Sequence, residues 1–88
     1  MAITLRIPEG VLSQDLAGET VLLNLNTSAY FGLDLMGTRL WQLVKEGRSL
    51  RAIYDVLLQE YDVAPEVLQR DLFKLVRTLQ DEGLLEDV

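Results

Sequence analysis

Cysteine and histidine are both absent from this 88-residue chain. Without cysteine there is no disulfide to staple a small core, no thiolate nucleophile and no soft metal ligand. Without histidine the commonest general base and the commonest transition-metal ligand are missing as well. Acid–base chemistry would have to rest on carboxylates, but the 14 Asp and Glu residues are scattered over turns and helix ends, where capping, dipole compensation and solubility account for them. Glycine is sparse. Gly10, Gly18, Gly32, Gly37, Gly47 and Gly83 form neither a GxGxxG nor a GxxxxGK[ST] phosphate cradle. Ser49 follows Arg48 and lacks the Asp-Ser-Leu setting in which a carrier protein holds its prosthetic arm. The expectation is a protein that is not an enzyme and has no metal or cofactor.

Long apolar runs are missing too, and none approaches the roughly 20 residues that a bilayer span needs. Met1 to Ile7, with its single Arg6, lacks the charged-then-apolar order of a signal peptide. No membrane partner is expected, and a reducing cytoplasm suits the composition. Basic residues number only 8 against 14 acidic ones, for a formal charge of −6. That balance opposes binding to a polyphosphate backbone, so nucleic acid is not expected as a partner. Hydrophobic residues, at 49%, and charged ones, at 25%, are in a proportion that folds. The length suits a single domain over residues 1–88.

The pattern changes once along the chain. Ile3, Leu5 and Ile7 alternate with polar residues, Pro8-Glu9-Gly10 interrupts, and strands are expected over Val11–Leu16, Glu19–Leu25 and Ala29–Leu33, separated by Ala17-Gly18 and Asn26-Thr27-Ser28 turns. Ile3–Ile7 could add a fourth strand or pack alongside; the pattern leaves both open. After Leu33 the period becomes helical. Asp34 caps a helix carrying Met36, Leu40, Leu43 and Val44, which Gly47 stops; Ser49 caps a second, with Leu50, Ile53, Tyr54, Leu57, Leu58 and Tyr61 on one face. Pro65 opens a third helix, through Leu68, Leu72, Leu75 and Leu79 with Val76 at the stripe's edge, and Gly83 ends it. Leu84 and Leu85 are expected to tuck back onto the core. Strands followed by helices predict an α+β domain, a three-stranded antiparallel sheet with three helices on one face.

Two features point to binding. Ala29–Leu33 ends the meander, so unless Ile3–Ile7 covers it, one edge of its backbone stays unpaired, with no Lys or Pro to blunt it. Such an edge beside an amphipathic helix accepts an extended peptide as an added strand, over a floor of Tyr30, Phe31 and Leu33. The plainer role of those side chains is sheet core. On the third helix, Arg70, Lys74 and Arg77 gather three of the eight basic residues on one side, near Gln69, Phe73 and Val76. They are either surface ion-pair partners of Glu66, Asp71 and Asp81 or a rim for an acidic, partly apolar peptide. Phe73 either covers core or joins that rim. An edge that paired with itself would give a homodimer. A sheet with three helices also suits a winged-helix DNA-binding regulator.

Val21-Leu-Leu-Asn24, Tyr30-Phe-Gly-Leu-Asp34, Gly37, Leu40-Trp41, the Gly47 turn and Gly83-Leu-Leu85 together resemble the PqqD-like superfamily, the RiPP recognition elements, over nearly the whole chain. The resemblance implies a winged-helix-like fold. It also implies a noncatalytic adaptor that binds the leader segment of a ribosomally made precursor peptide as a strand, and presents it to modifying enzymes. Carried onto this sequence, Ala29, Tyr30, Phe31, Gly32 and Leu33 would form the strand edge, and Phe73, Val76 and Arg77 the helix wall; Gln69, Arg70 and Lys74 are added from position and charge. A free-standing chain of this size is most similar to leader-binding subunits of split lasso-peptide proteases, which implies a maturation protease and a cyclase as partners. The sister reading is the peptide chaperone of pyrroloquinoline quinone synthesis.

Overall fold

The strands-then-helices order expected from periodicity is the order found in a computed structural model that describes residues 3–87. The elements are β1 (Leu5–Arg6), β2 (Val11–Leu16), β3 (Glu19–Asn24), β4 (Tyr30–Leu33), α1 (Leu35–Lys45), α2 (Leu50–Glu60), α3 (Pro65–Asp81) and β5 (Glu86–Asp87). β2, β3 and β4 form an antiparallel sheet in that order. The α+β expectation of a three-stranded antiparallel sheet followed by three helices therefore holds.

Side-chain alternation divides the sheet. Thr20, Leu22, Asn24 and Leu33 are buried beneath the helices, with Phe31 half-buried beside them, while Leu12, Leu16 and Tyr30 face outward and are exposed. Leu22 and Leu33 of this inner set join Leu40, Trp41, Leu43, Leu50, Ile53, Leu57, Leu68, Leu72 and Leu79 in one hydrophobic core, with Phe31 packed against it. Burial of such side chains is worth roughly 1.5–3 kcal/mol each before chain entropy is counted.

The turns follow from local chemistry. Leu16 pairs with Glu19 across the two-residue turn Ala17-Gly18, whose φ angles are +51° and +87°. Two left-handed residues give the type I′ geometry that matches strand twist. Gly18 adopts it freely, but Ala17 pays a steric cost of about 1 kcal/mol. Ala17→Asn should therefore raise the melting temperature by a few degrees, since about 1 kcal/mol shifts a domain of this size by roughly 4–8 °C; an unchanged or lower value would mean that Ala17 is not strained.

At the start of α1, Asp34 Oδ1 accepts a hydrogen bond from Gly37 N at 2.9 Å, and at the start of α2 Ser49 Oγ accepts from Ala52 N at 3.2 Å. Both are the expected N-caps. Arg39 reaches from α1 to the end of α2, donating to Glu60 at 2.9 and 3.0 Å, and that hydrogen bonding holds the Glu60 carboxyl below its ordinary value. The end of α3 is a Schellman turn: Leu84 N donates to Leu79 O at 2.8 Å and Gly83 N to Gln80 O at 3.1 Å. Gly83, at φ +74°, redirects the chain so that Leu84 and Leu85 are buried.

This reversal decides the open question about the N-terminus. β1 pairs with β5, not with the sheet; Arg6 forms an ion pair with Glu86, and Leu50 N donates to Ile3 O at 2.7 Å. The N-terminal segment is thus bound to the C-terminal tail and the start of α2. Among the described residues it leaves β4 uncovered.

Candidate functional site

β4 is an edge strand, and which of its residues face the free edge follows from the ladder. The register pairs Leu23 with Tyr30 and Val21 with Gly32, and one step beyond it Asn24 N donates to Ala29 O at 2.9 Å. Hydrogen-bonded and non-hydrogen-bonded pairs alternate in an antiparallel ladder. Ala29, Phe31 and Leu33 therefore turn their backbone groups toward β3, and Tyr30 and Gly32 turn theirs outward. Ala29, expected as part of the free edge, does not contribute to it: its carbonyl is already used within the hairpin.

The same two-residue period sends side chains to opposite faces. Phe31 and Leu33 point inward, toward a groove of about 460 Å3 between β4 and α3. One wall comprises Phe31, Gly32, Leu33, Asp34 and Met36; the other comprises Asp71, Lys74, Leu75 and Thr78. The helix residues fall at i, i+3, i+4 and i+7, a single stripe of α3. The floor is apolar and the rim mixed. Asp34 is engaged in capping α1, the Thr78 hydroxyl donates to Lys74 O at 2.9 Å, and Lys74 forms no ion pair among the described residues. Its ammonium is the groove's available cation.

The sequence-derived set is therefore divided by the structure. Phe31, Gly32, Leu33 and Lys74 line the groove, and Tyr30 supplies edge backbone groups with its side chain on the opposite face. Val76 is 4% exposed and belongs to the core, not to a wall. Gln69, Arg70, Phe73 and Arg77 are exposed on another flank of α3. Phe73 follows Asp71 by two residues, roughly 200° around the helix, so the two cannot wall one groove. Arg70 and Arg77 lie 3.6 Å from Asp71 and 3.8 Å from Asp81, the surface-pair arrangement of small net value.

Asp34, Met36, Asp71, Leu75 and Thr78 complete the groove without having been singled out. Their signal was present, since each lies one helical step from the core stripe or at the strand–helix corner. A sequence does not say which flank of that stripe faces the sheet edge.

β2 is the sheet's other edge, and its side chains are mostly exposed. Among the described residues, β4 is the edge of this sheet that lines a groove against a helix.

The fold has counterparts among solved structures. The structure superposes on TbiB1, solved in complex with the TbiA(beta) leader peptide, with a TM-score of 0.87 and 41% identity, over 92% of this chain and 94% of that one. A lasso peptide synthetase B1, solved with its leader peptide, shares the fold at a TM-score of 0.83 and 23% identity, over 93% of this chain and 96% of that one. Among curated proteins no match is found. Residues 19–85, from the start of β3 to the buried pair after α3, match the family model for coenzyme PQQ synthesis protein D, and the chain therefore belongs to the PqqD family.

Proposed function

We propose that this chain is a noncatalytic adaptor that binds the leader segment of a ribosomally made precursor peptide, of the lasso class, by strand addition to β4. The observation that carries the reading is the free edge at Tyr30 and Gly32 directly above the groove between β4 and α3. Likeness to TbiB1, whose structure holds a leader peptide, supports it. Main-chain hydrogen bonds to the edge would supply affinity, and alternate leader side chains entering the groove would supply specificity. An apolar side chain suits Phe31, Leu33, Met36 and Leu75, and a leader carboxylate suits Lys74.

The bound leader would then be presented to a maturation protease and cyclase in the cytoplasm, with residues 1–88 acting as one domain. Among the described residues no helix is long and apolar enough to cross a membrane. Duplex DNA is the poorer ligand. A chain of charge −6 whose groove carries two carboxylates against one ammonium repels phosphate.

Titration of a fluorescently labelled cognate leader tests the proposal. Saturable binding is expected, weakened roughly three- to tenfold by Lys74→Glu, the scale of an exposed ion pair lost and reversed. Phe73→Ala and Arg77→Glu should bind like the parent. Absence of binding would overturn the function; equal loss in all three variants would overturn the groove assignment.

A further inference from the structure

β2 is the sheet's second open edge, and it lacks the usual guards. Native edges are commonly blunted by Lys, Pro or a bulge. Val11–Leu16 contains neither residue, and its register against β3 runs unbroken from Val11↔Asn24 to Leu16↔Glu19. Its one charge, Asp15, accepts a hydrogen bond from Thr20 Oγ1 at 3.0 Å within its own sheet. The ladder fixes which backbone groups are free. Leu25 N donates to Gly10 O at 2.9 Å, so by alternation Leu12, Gln14 and Leu16 bond to β3, while Val11, Ser13 and Asp15 turn outward. Pro8 O already takes the Val11 N–H, at 3.3 Å. Ser13 and Asp15 are left facing the edge with donor and acceptor both available.

We propose that β2 pairs with β2 of a second copy of this chain, antiparallel about a twofold axis at Gln14, joining two three-stranded sheets into one. A twofold contact must be complementary to itself, with matching residues at equal distances from the axis. β2 meets that condition in this register. Ser13 of each copy lies opposite Asp15 of the other, so all the outward backbone groups of these residues exchange hydrogen bonds, and the two carboxylates are kept apart. On the outer face Leu12, 54% exposed, meets Leu16 of the second copy, 50% exposed, and the reverse pair lies on the other side of the axis. Such cross-strand apolar pairs are the unit of sheet stabilisation. Gln14 meets Gln14, a neutral amide pair. An axis at Ser13 would instead set Leu12 against Gln14 and draw the occupied Val11 N–H into the ladder; an axis at Asp15 would oppose the two carboxylates.

The pairing leaves β4 at the outer edge of each half, so a dimer keeps both leader-binding edges and grooves. A single strand edge is smaller than the roughly 800 Å2 per partner of a standard interface, and two chains of charge −6 repel. The dimer therefore exchanges with monomer, and its fraction grows with protein concentration and with salt, which screens the repulsion.

Sedimentation equilibrium of the full chain, with charge exchange at the axis, tests the pairing. Gln14 is exposed and lies two strands away from the leader edge, so Gln14→Glu and Gln14→Lys should fold and bind leader as the parent does. Each alone sets like charges against each other and is expected to weaken the dimer roughly three- to tenfold. An equimolar mixture of the two should recover dimer to at least the wild-type level, because an axis at Gln14 brings the opposite charges together. Wild-type protein that stays monomeric at the highest concentrations reached would overturn the proposal. So would a mixture no more dimeric than its components. A dimer that saturating leader dissolves would place the contact at β4 and overturn the assignment to β2, whereas failure to bind leader with the mixture still dimeric would leave the pairing standing and sink the leader reading alone.

Discussion

Replacing Gly32 by proline should abolish tight leader binding while leaving the sheet assembled. The Gly32 N–H points away from β3, as the alternation from the Asn24–Ala29 bond requires, so proline removes no ladder hydrogen bond. Edge strands accept proline where the missing N–H would have faced solvent. What is lost is a donor at the free edge, worth roughly 0.5–1.5 kcal/mol net, and the ring also obstructs the approach of an added strand. At about 1.4 kcal/mol per decade, a loss of at least tenfold is expected. Gly32→Ala keeps the N–H and places its Cβ in open space, so it should bind much as the parent does. Parent-like affinity in Gly32→Pro, measured by the same anisotropy titration, would mean that the leader does not add to β4.

The largest stability effect is expected at Asn24. Its side chain is buried at the end of β3, where Nδ2 donates to Gly83 O at 2.8 Å and Oδ1 accepts from Asn26 N at 2.8 Å and Thr27 N at 3.3 Å. One amide thus joins the β3–β4 turn to the Schellman turn that ends α3. Asn24→Ala leaves a buried carbonyl and turn amides without partners, at a cost of about 2–3 kcal/mol. Thermal melting should fall by roughly 10–20 °C. Leader affinity, measured below the new transition, should fall as well, because both walls of the groove are held by this joint. A shift of only a degree or two would show that water replaces the amide's partners at no cost.

The two positions also indicate what could be read from sequence and what could not. Element types were legible because each rests on local signals: the Ala17-Gly18 and Asn26-Thr27-Ser28 turns between strands, caps at Asp34 and Ser49, Pro65 at the first turn of α3, and Gly83 at its end. The free edge was legible from strand order, but only conditionally, because the pairing of β1 with β5 joins segments 80 residues apart and carries no local mark. The groove was half legible. Helical periodicity separates the core stripe of α3 from its two flanks, yet both flanks are amphipathic borders. The charge cluster Arg70, Lys74 and Arg77 drew attention to one, and packing turned the other, Asp71, Lys74, Leu75 and Thr78, toward β4. Val76 lies at the edge of the leucine stripe by angle alone, and close packing of the helices draws it into the core. Asn24 has no local signature: its partner Gly83 is 59 residues away.

Amide hydrogen exchange, resolved by residue in the free and leader-bound states, tests the central claim most directly. Backbone groups at Tyr30 and Gly32 face the open edge, so strand addition predicts new protection at those two amides on leader binding, with Phe31 and Leu33 already protected in the free protein by their bonds to β3. Protection appearing instead along β2, or on the Arg70–Phe73–Arg77 flank of α3 with Tyr30 and Gly32 unchanged, would contradict the account.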